Sequence, residues 1–104
     1  MTPAAIPGVA ISRQQQLEAL FEGQPSLEAV WLFGSRALGR YREGSDIDLC
    51  LVGEGFTHRD HVRLMAAIDE LLMPWQVDLV LKQDMPPDLL AHVKSVGFCI
   101  WRRL

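Results

Sequence analysis

The 104-residue sequence predicts one small α/β domain, helices laid over a few strands. Three observations predict it. Helix-period and strand-like apolar stretches alternate along the chain. Hydrophobic residues make up 49% of it, enough for a core and too many for a disordered chain. Gly and Pro fall where each stretch should stop, at Gly23 and Pro25, Gly34, Pro74, and Gly97. Pairing directions are not encoded in such a pattern, so the class reads as α/β or α+β with a small sheet.

The elements follow in order. Residues 1–11 hold two prolines and a glycine and read as a flexible N-terminal lead-in, leaving 12–104 as the domain. Ser12 and Gln15 have capping-box spacing, and Leu17, Leu20 and Phe21 form a helical stripe behind them. Ala29 to Phe33 reads as a buried strand ended by Gly34. A short helical turn is expected over Ser35 to Gly39, then a polar loop through Gly44 and a strand from Asp46 to Val52. Thr57 and Asp60 repeat the capping-box spacing and open the strongest helix, expected to reach Leu72. Its apolar face is Leu64, Met65, Ile68, Leu71 and Leu72, with Arg59, Asp60, Arg63, Asp69 and Glu70 on the wet side. Gln76 to Leu81 is a third strand. Pro86 and Pro87 suit the first turn of a last helix with Leu89, Leu90 and Val93 inward, and Phe98 to Trp101 a final strand.

Composition excludes several classes. The formal charge of −3 lacks the basic footprint of a nucleic-acid binder. No apolar run approaches the length of a membrane span, and the first residues lack the basic and apolar regions of a secretory signal. Cys50 and Cys99 lie in apolar runs without CxxC spacing and read as free buried thiols. A cytoplasmic setting is expected. Trp31, Trp75 and Trp101 are flanked by apolar residues and read as core or interface aromatics; an exposed Trp101 would mark a partner surface. His58, His61 and His92 have no zinc-like company and are expected at the surface.

The chemistry concentrates in Gly34-Ser35-Arg36 and in Ser45-Asp46-Ile47-Asp48. In a strand, residues i and i+2 share a face, so Asp46 and Asp48 present their carboxylates together while Ile47 and Leu49 point to the core. Two such charges repel unless a cation bridges them, and magnesium favours carboxylate and phosphate oxygens. Asp78 sits in Val77-Asp78-Leu79-Val80-Leu81, where a carboxylate is costly to bury without a partner. Beside the Asp46 strand it would complete a metal site or take a proton from an attacking hydroxyl. Gly34 lets backbone approach a ligand, and the following amides with the Ser35 hydroxyl suit a phosphate. Arg36, Arg40 and Arg42 supply local positive charge for a triphosphate. Each feature alone has an ordinary reading: wet-face acids, a common turn, an edge-strand acid paired with an arginine, a solvated basic face. Their order in one short chain favours the chemical one.

These residues carry a resemblance. Leu32-Phe33-Gly34-Ser35-Arg36, then Ser45-Asp46-Ile47-Asp48-Leu49, then Val77-Asp78-Leu79 resemble the minimal nucleotidyltransferases of the polymerase-beta superfamily, whose pattern is GS, ten residues, DxD and a later single acid. The ten residues from Arg36 to Ser45 match that spacing. The resemblance implies a nucleotidyltransferase fold with a small mixed sheet covered by helices. It implies that Gly34 and Ser35 hold a nucleoside triphosphate, with Arg36 beside them, and that Asp46, Asp48 and Asp78 are the catalytic acids and bind Mg2+. The implied reaction moves AMP from ATP, the co-substrate, to an acceptor hydroxyl.

Larger relatives add a domain for the acceptor, so a chain this short is expected to borrow that site from a partner in a hetero-oligomer. Stand-alone members are often paired with a HEPN protein, a toxic ribonuclease that the nucleotidyltransferase silences by attaching AMP to a tyrosine. The leading expectation is therefore an AMP-transferring antitoxin. The alternatives are the catalytic subunit of a small-molecule nucleotidyltransferase, or a non-catalytic antitoxin acting by occlusion. A template polymerase is disfavoured by the acidic balance.

Overall fold

The alternation Ile47-Asp48-Leu49-Cys50-Leu51 decides how the layers form, because its odd-numbered residues are fully buried on one face of the sheet. The computed structural model describes residues 4–104. Its elements are α1 (Ile11–Glu22), β1 (Ala29–Phe33), β2 (Ile47–Val52), α2 (His58–Asp69), β3 (Val77–Leu81), a 3-10 turn over Lys82–Asp84, α3 (Pro87–Val96) and β4 (Phe98–Arg102). The strands form a four-stranded sheet in the order β3-β2-β1-β4. β1 is antiparallel to both β2 and β4, whereas β2 and β3 are parallel. A parallel pair needs a crossover, and α2 supplies it. The sheet is mixed, as the fold class anticipated.

Two apolar layers flank the sheet. On one face Leu17 and Phe21 of α1 and Leu64 and Ile68 of α2 pack on Val30, Leu32, Ile47, Leu49, Leu51, Leu79 and Leu81. On the other, Val93, Leu89 and Leu90 of α3 pack on Phe33, Trp31, Cys50, Val52 and Val80. The second layer is smaller and leaves room for Asp48 and Asp78, which share that face.

Several boundaries differ from the sequence reading. α1 begins one residue before Ser12, with Ala10 as N-cap and no side-chain cap. Gln14 explains the difference: it is buried, its Oε1 accepts from the Ile6 amide at 2.7 Å, and its Nε2 donates to the Ala4 carbonyl at 3.2 Å. The lead-in is thereby tied across the start of the helix, and Ile6, only 1% exposed, joins the core. Residues 1–3 of that lead-in lie outside the described residues.

The Thr57–Asp60 capping box forms as read, Thr57 Oγ1 accepting from the Asp60 amide and Asp60 Oδ2 from the Thr57 amide. α2 stops at Asp69, short of Leu72, which has φ +50° and is 83% exposed. Leu72 and the exposed Met65 therefore leave the expected apolar face. α3 is entered through Pro86 and Pro87 and ended at Gly97 as expected. Trp101 is buried, not a surface aromatic; it packs on Phe21 and its Nε1 donates to Glu22 Oε1 at 3.1 Å. Trp31 and Trp75 are half-buried. Both cysteines are free thiols, Cys50 buried and Cys99 half-buried. Among the described residues no helix is long and apolar enough to cross a membrane.

Candidate functional site

Strand register assembles the acids. Asp48 stands opposite Phe33 of β1 on one side and opposite Asp78 of β3 on the other. Neighbouring strands lie about 4.8 Å apart, so two carboxylates at the same level on one face are near neighbours. Asp46, just ahead of β2 and exposed, adds a third negative charge beside Asp48. Burial pushes the half-buried Asp48 carboxyl above its ordinary range. The charges of Asp78 and Asp46 and a hydrogen bond with Asp78 push it further. Gln76 Nε2 donates to Asp78 Oδ1 at 2.9 Å and orients it; nothing in the sequence around Gln76 marks it for this role.

The loop after β1 lies against this cluster. Gly34 has φ +77°, and a Cβ there would run into Asp48 Oδ2, so only glycine lets the backbone pass so close to that carboxylate. The expected helical turn over Ser35 to Gly39 is a set of hydrogen-bonded turns, Leu38 N–H donating to Gly34 O and Arg40 N–H to Ser35 O. Among the described residues the amides of Ser35, Arg36 and Ala37 donate to no protein acceptor. Successive free amides in such a turn are the donors from which anion-binding concavities are built.

Arg36 differs from expectation. Its side chain is 1% exposed and its donors are spent on backbone: Nη1 on Pro7 O at 2.7 Å, and Nη2 and Nε on Ser45 O at 2.8 and 3.2 Å. The guanidinium lies 5.0 Å from the Tyr41 ring centre and 5.5 Å from that of Trp75. Arg36 braces the loop to the lead-in and to the residue preceding Asp46, and is not aimed at an anion. Arg40 and Arg42 are exposed.

The histidines divide. His58 is exposed and meets Asp84 at 2.7 Å, as a surface residue should. His61 and His92 are half-buried instead. His61 Nε2 bonds to Leu79 O at 2.8 Å and ties α2 to β3. His92 Nε2 accepts from the Gly34 amide at 3.2 Å, placing it beside the candidate site. No sequence signal marks a contact between residues so far apart in the chain.

Among the described residues, no group of three or more His, Cys, Asp or Glu side chains forms a preassembled metal cage. Magnesium rarely uses one; it takes one or two carboxylates and completes its shell with water and substrate phosphates. Crowded carboxylates, with the central one pushed toward protonation, are a donor set a divalent cation relieves. Farther along the same sheet face is an apolar cavity of about 300 Å³ lined by Trp31, Cys50, Val52, Lys82, Leu90 and Val93, among others.

The family described as polymerase beta, nucleotidyltransferase matches residues 15–103. A Haemophilus influenzae protein named "Probable protein adenylyltransferase MntA" is 44% identical over 54 residues, which is 49% of this chain and 46% of that protein. The match thus spans about half the length of that curated relative. A solved toxin–antitoxin structure with AMP-PNP superposes with a TM-score of 0.71 at 24% identity, covering 86% of this chain and 73% of the other. A tri-AMPylated Shewanella oneidensis HEPN toxin in complex with its MNT antitoxin matches with a TM-score of 0.63 at 22% identity, covering 88% and 73%. At these identities the structural likeness speaks to the fold.

Proposed function

The chain belongs to the polymerase beta nucleotidyltransferase family, and we propose that it moves AMP from ATP to a hydroxyl of a partner protein, a tyrosine of a HEPN toxin that is thereby silenced. The observation that carries this reading is Asp48, flanked by Asp78 across the strands and by Asp46 along the chain, against a glycine turn with unpaired amides. Carboxylates beside an anion cradle suit a metal–triphosphate, and neither half alone would.

In this reading Gly34 and Ser35 seat the triphosphate, and Asp46, Asp48 and Asp78 hold Mg2+. The ion supplies charge neutralisation at the phosphates. Asp78 accepts the proton of the acceptor hydroxyl as its oxygen attacks the α-phosphorus. The bond from that phosphorus to the β-phosphate oxygen breaks, and pyrophosphate leaves. Arg36 contributes by holding the loop. The related toxin–antitoxin complexes support a HEPN partner and a hetero-oligomer. The free thiols fit a cytoplasmic setting.

The test is label transfer. The purified protein, ATP labelled at the α-phosphate, Mg2+ and a lysate of the source cells should give one labelled small protein, absent with Asp48→Asn. Label confined to small molecules would overturn the protein acceptor. No label from a folded protein with its partner present would overturn the transfer reaction and leave occlusion.

A further inference from the structure

His92 reaches the loop from α3 at two consecutive residues. Its Nε2 accepts the Gly34 amide hydrogen at 3.2 Å, and its ring stands edge-on to Phe33 with centroids 6.2 Å apart. Phe33 is the residue opposite Asp48 in the sheet, and Gly34 lies directly against the Asp48 carboxylate. The amide that His92 takes immediately precedes the three that have no protein acceptor among the described residues.

Resting on the site reading above, we propose that His92 is a positioning residue for the triphosphate. Its hydrogen bond fixes the Gly34 peptide and its left-handed turn. The amides of Ser35, Arg36 and Ala37 are thereby held ready for phosphate, and the loop is kept against Asp48. The turn's own bonds, Leu38 N–H to Gly34 O and Arg40 N–H to Ser35 O, hold its far side, and His92 holds the Gly34 amide where the loop leaves β1. Preorganisation of this kind raises affinity without a new contact to the ligand.

The experiment measures binding of a non-hydrolysable ATP analogue with Mg2+ by calorimetry, together with kcat and KM for AMP transfer. His92→Phe keeps a ring against Phe33 and removes the acceptor, and His92→Gln restores one through its amide oxygen. His92→Leu serves in place of His92→Phe if that variant does not fold. Loss of one hydrogen bond predicts binding weakened about 10-fold. KM for ATP should rise by that factor with kcat nearly unchanged, and His92→Gln should recover most of the loss. Wild-type affinity in His92→Phe, equal losses in the Phe and Gln variants, or a fall in kcat alone would each overturn the proposal. Failure of the wild-type protein to bind the analogue would overturn the site reading and this inference with it. Binding by the wild type and by His92→Phe alike overturns only the histidine's role.

Discussion

Asp48 and Asp78 occupy the same level of two adjacent parallel strands, so their carboxylates share one face of the sheet with no residue between them. Two acids are rarely placed so without a reason, because each raises the cost of ionising the other. Replacing Asp48 by Asn should abolish transfer, a loss of at least about 10³-fold if the carboxylate orders the reacting phosphates.

The same variant should be more stable in metal-free buffer at neutral pH. Asp48 has its folded pKa above the unfolded one, so the folded state binds more protons between the two values. Stability therefore falls as pH rises from the usual carboxylate range through the raised folded value, and stays lower above it. Melting curves with and without Mg2+ check this: the ion should stabilise the wild type and leave Asp48→Asn unmoved.

Gly34→Ala should damage both fold and function. Its backbone is at φ +77° and its new methyl would meet Asp48 Oδ2. The strained conformation alone costs about 1–3 kcal/mol. Denaturant unfolding should register that cost, and nucleotide binding should fall with it.

Arg36→Ala should act chiefly on stability. It leaves the carbonyls of Pro7 and Ser45 without their donors, at about 1–3 kcal/mol for each that stays dry. A phosphate contact at the surface would instead lower nucleotide affinity with little change in melting temperature. Melting and nucleotide titration on one variant separate the two roles.

Thr57→Ala tests the cap of α2. Loss of its hydroxyl should cost about 1 kcal/mol, seen as a shifted urea midpoint at constant slope. The Asp60 carboxyl is held below its usual range by hydrogen bonds from Thr57. Its contribution is present above the unfolded value and disappears as pH falls through the lowered one.

The legible parts of the sequence were those governed by short-range rules. The period-two alternation around Asp48 put the apolar residues of β2 in one layer and the acid in the other, and Thr57–Asp60 announced its own helix start. The register that sets Asp78 beside Asp48 depends on the crossover through α2, and a single sequence does not state a pairing direction. Long-range polar contacts were silent for a related reason. Nothing in the pattern around His92 points to Gly34, and nothing near Arg36 says that its donors go to Pro7 and Ser45. Leu72 keeps the helical period of a core residue, but the chain leaves the helix after Asp69 and turns it outward.

The most direct measurement is mass spectrometry of any protein that co-purifies with this chain, expressed with wild-type chain or with Asp48→Asn. The account predicts AMP on a tyrosine of the partner in the first case and an unmodified partner in the second. A partner that is silenced yet unmodified in both would contradict it, and would mean that Asp46, Asp48 and Asp78 do not carry out the transfer.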